Sequence, residues 1–195
     1  MTSDSNGQAA GAPARSARFL TVSLARELGI LLSLSVMFPF MIHILPVPQD
    51  SRLGARLLPM FYAPLLAALV GRPATALGVA LLAPWLNWAL TSHPSPSGAI
   101  VLTLQLVVFV VAMRAMLARV APHWFLVVSA FLLCIAASAL AAAVFPAAIG
   151  GREPLAWALQ NVSTGLPGLG VLLLINWLVP RYYPTGGQGG GPGFA

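Results

Sequence analysis

Pro122-His123-Trp124-Phe125-Leu126-Val127-Val128-Ser129-Ala130-Phe131-Leu132-Leu133-Cys134-Ile135-Ala136-Ala137-Ser138-Ala139-Leu140-Ala141-Ala142-Ala143-Val144-Phe145-Pro146 runs from one proline to another without a charged residue. An α-helix needs about 20 mainly apolar residues to cross the roughly 30 Å hydrocarbon core of a bilayer. This stretch meets that requirement by itself. Outward from it, Pro, Gly and Arg punctuation marks off similar runs at 98–119 and 155–179, then at 73–91, 57–71 and 20–45. The chain therefore reads as an all-α integral membrane protein, a bundle of about six transmembrane helices over residues 18–184. The run at 57–71 is the short one. It opens at Pro59, carries Pro64 in its first turns and stops at Gly71-Arg72-Pro73, which predicts a kinked, tilted or partly spanning segment. Residues 1–17, rich in Ser, Ala and Gly, are too polar to pack a core and read as a disordered cytoplasmic leader. Arg15 and Arg18 precede an apolar run too long for a signal-peptide core. The Gly-rich residues 185–195 read as a flexible tail.

Composition agrees with a bilayer as solvent: 58% of the residues are hydrophobic and 7% charged, against about 25% charged in soluble domains. The basic residues are ten arginines with no lysine, and the acids are only Asp4, Glu27, Asp50 and Glu153. A sequence pI near 11.1 thus reflects few acids and no basic stripe of the kind that neutralises nucleic-acid phosphates. Without lysine there is no Gly-x-x-x-x-Gly-Lys-Ser/Thr phosphate loop. The four scattered acids also supply no paired carboxylates for a membrane enzyme, which leaves an enzyme as the weaker alternative and a non-catalytic scaffold as the stronger one. Cys134, alone in an apolar run, reads as a small core hydrophobe. No cofactor or metal site is expected, since His43 and His93 have no third ligand at a suitable spacing.

The arginines orient the bundle. With the N-terminus inside, Arg15, Arg18, Arg26, Arg72, Arg114, Arg119 and Arg181 are cytoplasmic against Arg52, Arg56 and Arg152 outside, which favours N-in and C-in. Hydrogen-bonding groups then concentrate in the outer half: His43, the loop from Pro46 to Leu57, Tyr62, Trp85, Asn87, Trp88, His93, Gln105, Trp157, Gln160, Asn161 and Thr164. The inner half reads as Ala, Leu, Val and Gly with terminal arginines. Polar groups at membrane depth are costly unless they face a cavity or one another, so this asymmetry predicts an outward-facing vestibule that captures a small solute. Trp85 and Trp88 share one face of their helix and serve either as interfacial belt or as stacking surface for a planar ligand. Trp157, Gln160, Asn161 and Thr164 make one polar stripe, read either as ligand contacts or as interhelical glue. Arg152-Glu153 reads as a lid or as a solvated loop pair.

The runs Leu58-Pro59-Met60-Phe61-Tyr62-Ala63-Pro64, Pro84, Leu90-Thr91-Ser92-His93-Pro94 and Leu104-Gln105-Leu106 resemble the S components of energy-coupling factor (ECF) transporters. The similarity is greatest to a bacterial group with a Leu-Pro-Met entry, a late proline in helix three, a Thr-Gly-Met-Pro loop and a Glu early in helix four. Here Phe61 stands where that group often has His, Ser92-His93-Pro94 where it has Gly-Met-Pro, Gln105 where it has Glu, and Ala68, Ala76 and Ala80 where it places glycines. The resemblance implies a substrate-binding subunit of a bacterial inner-membrane importer that takes up a vitamin-like solute. It also implies partners: an ECF-type transmembrane coupling subunit and two cytoplasmic ATPases. Ala25, Gly29 and Ser33 repeat every fourth residue on helix one, a pattern that lets another helix approach closely. In S components a small-residue surface on that helix meets the partner; packing within the chain's own bundle is the alternative.

Overall fold

The structure is a computed structural model that describes residues 12–44 and 53–182, with side chains at 22–42 and 54–182. Among the described residues it is all-helical: α1 (Ala12–Ile44), α2 (Leu53–Leu57), a 3-10 turn (Pro59–Phe61), α3 (Tyr62–Val70), α4 (Pro73–Thr91), α5 (Pro96–Leu117), α6 (Trp124–Val144), a second 3-10 turn (Pro146–Ile149) and α7 (Pro154–Tyr182). Prolines open α4, α5 and α7, where a missing N–H costs nothing and a fixed φ favours entry. Ser95 caps α5 by accepting a hydrogen bond from the Gly98 N–H at 3.3 Å. Five segments are long and apolar enough to cross a membrane, Val22–Ile42, Pro73–Thr91, Pro96–Leu117, Trp124–Val144 and Pro146–Tyr182, so the chain has the build of a multi-pass membrane protein.

The structure departs from the sequence reading at the start of α1 and in the expected loop before Pro59. α1 starts at Ala12, inside the expected leader, because Ala12-Pro13-Ala14-Arg15-Ser16-Ala17 pairs strong helix formers with an early proline. The remaining leader (1–11) and the Gly-rich tail lie outside the described residues. The short second helix is broken. Pro59 disfavours helical backbone at the residue before it, and Leu58 takes a left-handed conformation with φ 53°. Past the 3-10 turn there is room only for the nine-residue α3, about 14 Å of rise or half of a bilayer core. Upstream, α2 forms where a loop was expected.

α3 sits at the centre of the bundle, against α1, α4, α5 and α7. Seven of its nine residues are buried, as expected for a helix apolar all round. Ala63, Ala67 and Ala68 of α3 and Ala76, Ala80 and Ala83 of α4 are fully buried, so methyl groups set the close approach of the two helices to their neighbours. Phe61 fills the centre edge-on between Phe109 of α5 (5.3 Å) and Phe131 of α6 (5.9 Å). Cys134 is buried in this core, its Sγ–H donating to the Phe131 carbonyl at 3.0 Å.

Despite its length, the broken segment still returns the chain to the level of Glu27 on α1. Glu27 of α1 accepts from the Arg72 N–H at 2.9 Å, and its carboxylate lies 3.9 Å from the Arg72 guanidinium. Arg114 of α5 donates to the carbonyls of Ala68 (3.0 Å) and Gly71 (3.1 Å), capping the C-terminus of α3. Asn176 of α7 donates to the His123 carbonyl just before α6, at 3.2 Å. The early part of α1, the α3–α4 and α5–α6 connections and the last turns of α7 therefore share one end of the bundle, the basic end. The α4–α5 and α6–α7 connections lie at the far end.

Candidate functional site

Arg56 and Leu57 decide the site. The backbone carbonyls of both lie against Gly168, the residue equidistant from the two ends of α7. A methyl group built on Gly168 would come within 2.5 Å of the Leu57 carbonyl carbon and 2.8 Å of the Arg56 oxygen. Only a residue without a side chain admits this approach. Arg52 and Arg56 were expected in an outer loop. Arg52 lies outside the described residues, whereas α2 carries the backbone of Arg56 against the midpoint of α7, its side chain exposed. Tyr62, at the start of α3, marks the same level: its hydroxyl donates to the Leu57 carbonyl and its ring packs edge-on against Phe38 of α1 at 5.4 Å.

Two amides on the neighbouring helices α4 and α5 are buried. Asn87 of α4 is 2% exposed and Gln105 of α5 is 5% exposed. Asn87 donates through Nδ2 to the carbonyls of Ser35 on α1 (3.1 Å) and Ala83 one turn earlier (3.0 Å), tying α4 to α1. Thr91 continues the chain of bonds by donating to the Asn87 carbonyl at 2.7 Å.

Other predicted site residues lie elsewhere. Trp85 and Trp88 are each 38% exposed, edge to face at 6.2 Å, beside exposed Leu81 and Leu82. They occupy an exposed face of α4, opposite in character to the buried Asn87. His93 is exposed in the α4–α5 connection, its Nδ1 3.2 Å from the Thr91 carbonyl oxygen. Trp157 is buried in a separate small cluster with Ala142 and Ile149, its bulk locking α7 to α6. Asn161 donates to the Trp157 carbonyl at 2.8 Å, and Gln160, exposed, accepts from Arg152 at 3.4 Å, so much of the predicted stripe is satisfied locally. Glu153 is a helix cap: its carboxylate accepts from the Leu155 N–H (2.9 Å) and from the Ala156 N–H, favourable at the positive end of α7. Arg152 donates to the Ile149 carbonyl at 3.0 Å. The side chain of His43 lies outside the described residues, although its backbone is in the last turn of α1.

Ala25, Gly29 and Ser33 are all exposed on α1, and nothing lies within 4 Å of a methyl group built on Gly29. Among the described residues nothing packs closely over Gly29.

One expectation is corrected at the basic end, which is not featureless. A cavity of about 460 Å³ lies there, between the start of α6 and the last turns of α7, lined by His123, Trp124, Asn176, Trp177 and Arg181 among others. Asn176, a lone amide in the run Leu172-Leu173-Leu174-Ile175-Asn176-Trp177, was the signal that could have marked it. Among the described residues no group of three or more His, Cys, Asp or Glu could hold a metal ion. Compared with protein families, curated proteins and solved structures, the chain matches none.

Proposed function

We propose that the protein is the substrate-binding subunit of an ECF-type importer of a vitamin-like solute, held N-in and C-in in a bacterial inner membrane. The observation that carries this reading is the position of Arg56 and the broken backbone around it against the midpoint of α7. Irregular backbone is tolerated at membrane depth only where it is buried in protein or lines a water-filled cavity, and a charged side chain there is costly without water or a partner. α3 fills the half of the bundle toward the basic end. The far half has no central helix among the described residues, and Asn87 and Gln105 are buried on the helices around it. A vestibule opening at the far end, with Arg56 and Tyr62 at its floor, would offer one cation, a phenol and two amides to a polar or anionic heterocycle. Below the floor, Phe61, Phe109, Phe131, Leu65 and Met113 are packed dry, which suits capture better than conduction.

The exposed stripe Ala25, Gly29 and Ser33 offers a docking surface for the coupling subunit, with the two ATPases beneath it. Two measurements test the proposal. Co-purification should bring down a larger membrane subunit and an ATPase pair. Thermal-shift screening against vitamins and their precursors should find a stabilising ligand, since a ligand at 100 times its Kd adds about 2.7 kcal/mol. A chain that purifies alone and is shifted by none of them is no such subunit.

A further inference from the structure

We infer that the cavity at the basic end binds the headgroup of an anionic glycerophospholipid whose headgroup carries a hydroxyl, phosphatidylglycerol being the simplest. Four observations converge on this.

Trp124 and Trp177, both largely exposed, stand at its rim, and exposed tryptophans at the ends of membrane helices mark the headgroup level. The Arg181 guanidinium is held over the Trp177 ring at 5.2 Å, which fixes a cation beside the opening. α6 begins in the same cavity wall, and its N-cap residue His123 makes no side-chain capping bond. The first N–H groups of a helix have no partner within it and present partial positive charge, a ready position for a phosphate oxygen. Among the described residues that line the cavity there is no Asp or Glu.

A fifth observation points to the rest of the headgroup. Asn176 lines the cavity, is only 4% exposed, and its Oδ1 has no hydrogen-bond partner. Its Nδ2 donates to the His123 carbonyl at 3.2 Å. Because a carbonyl can only accept, that bond fixes which end of the amide is which. The free atom is an acceptor, and leaving it unsatisfied costs about 1–3 kcal/mol. A ligand that completes it must bring a donor. The hydroxyl of a glycerol headgroup does so with a phosphate within reach of Arg181, and a net negative charge suits an arginine and a helix N-terminus better than a zwitterion with its own ammonium.

The inference is independent of the transport proposal. Native mass spectrometry of the full chain released from nanodiscs of equal parts phosphatidylglycerol and phosphatidylcholine should show about tenfold preferential retention of phosphatidylglycerol. Arg181→Gln, at an exposed position, and Asn176→Asp, close to isosteric but anionic, should each reduce that preference about tenfold, while the exposed control Gly170→Ala should leave it unchanged. Equal retention of the two lipids, or a preference untouched by Arg181→Gln, overturns the inference. Displacement of the lipid by millimolar inorganic phosphate or glycerol 1-phosphate would also overturn it, in favour of a soluble anion.

Discussion

Replacing Gly168 by alanine should separate α2 from α7 and lower the stability of the whole bundle. The added methyl would stand 2.5 Å from the Leu57 carbonyl carbon, 2.6 Å from its oxygen and 2.8 Å from the Arg56 oxygen. Ordinary carbon contacts lie at about 3.5–4.0 Å, so α2 must retreat by about 1 Å or more. The obstacle is backbone and has no flexible end to swing away. Overpacking of this kind costs about 1–3 kcal/mol. Two neighbours calibrate the result. Gly170 has nothing within 4 Å, so Gly170→Ala should be neutral or stabilising by up to about 1 kcal/mol from helix propensity. Gly165 would meet the ends of the Leu58 and Phe131 side chains at 3.2 Å, which yield more readily, and should fall between the two. Unfolding in detergent followed by tryptophan fluorescence gives the order Gly170→Ala, Gly165→Ala, Gly168→Ala from most to least stable. If Gly168→Ala unfolds together with Gly170→Ala, α2 does not lie against the midpoint of α7, and the argument for a vestibule floor there fails with it.

Arg114→Met should cost about 2–3 kcal/mol in the same unfolding assay, because it removes a charged donor from the two carbonyls that end α3; a loss below about 0.5 kcal/mol would show that water caps that corner equally well. Asn87→Leu should destabilise by only about 1 kcal/mol, two membrane hydrogen bonds at about 0.6 kcal/mol each, and should abolish any thermal shift given by a solute. An unchanged shift would confine Asn87 to tying α4 to α1. Gly29→Leu should leave the melting temperature unchanged, since the site is open, yet reduce recovery of the proposed coupling subunit in co-purification; full recovery would remove the stripe from the proposed docking surface.

Much of the architecture was legible in the sequence because a bilayer imposes length and polarity limits that each segment must satisfy alone. The runs at 73–91, 98–119, 122–146 and 155–179 became helices within a few residues of those bounds. The weakness at Pro59 was legible for the same reason, since proline acts on its immediate neighbour. The site was less legible. Trp85, Asn87 and Trp88 lie within four positions of one another but divide between an exposed and a buried face, and only the packing of α4 against α1 makes Asn87 the inward one. Glu153, read as a lid or a loop charge, is a cap because α7 starts one residue later.

What the sequence determined by itself is therefore the solvent, the helices and the punctuation between them, all local consequences of hydropathy, proline and charge. Tertiary structure alone decided that the nine-residue α3 is the centre of the bundle, that a loop arginine is carried to the midpoint of α7, and that an amide near the end of α7 meets the start of α6. Each of these depends on two segments far apart in the chain meeting at one depth. No single stretch records that depth: Gly168 reads as one more helical glycine until the backbone of Leu57 is placed against it.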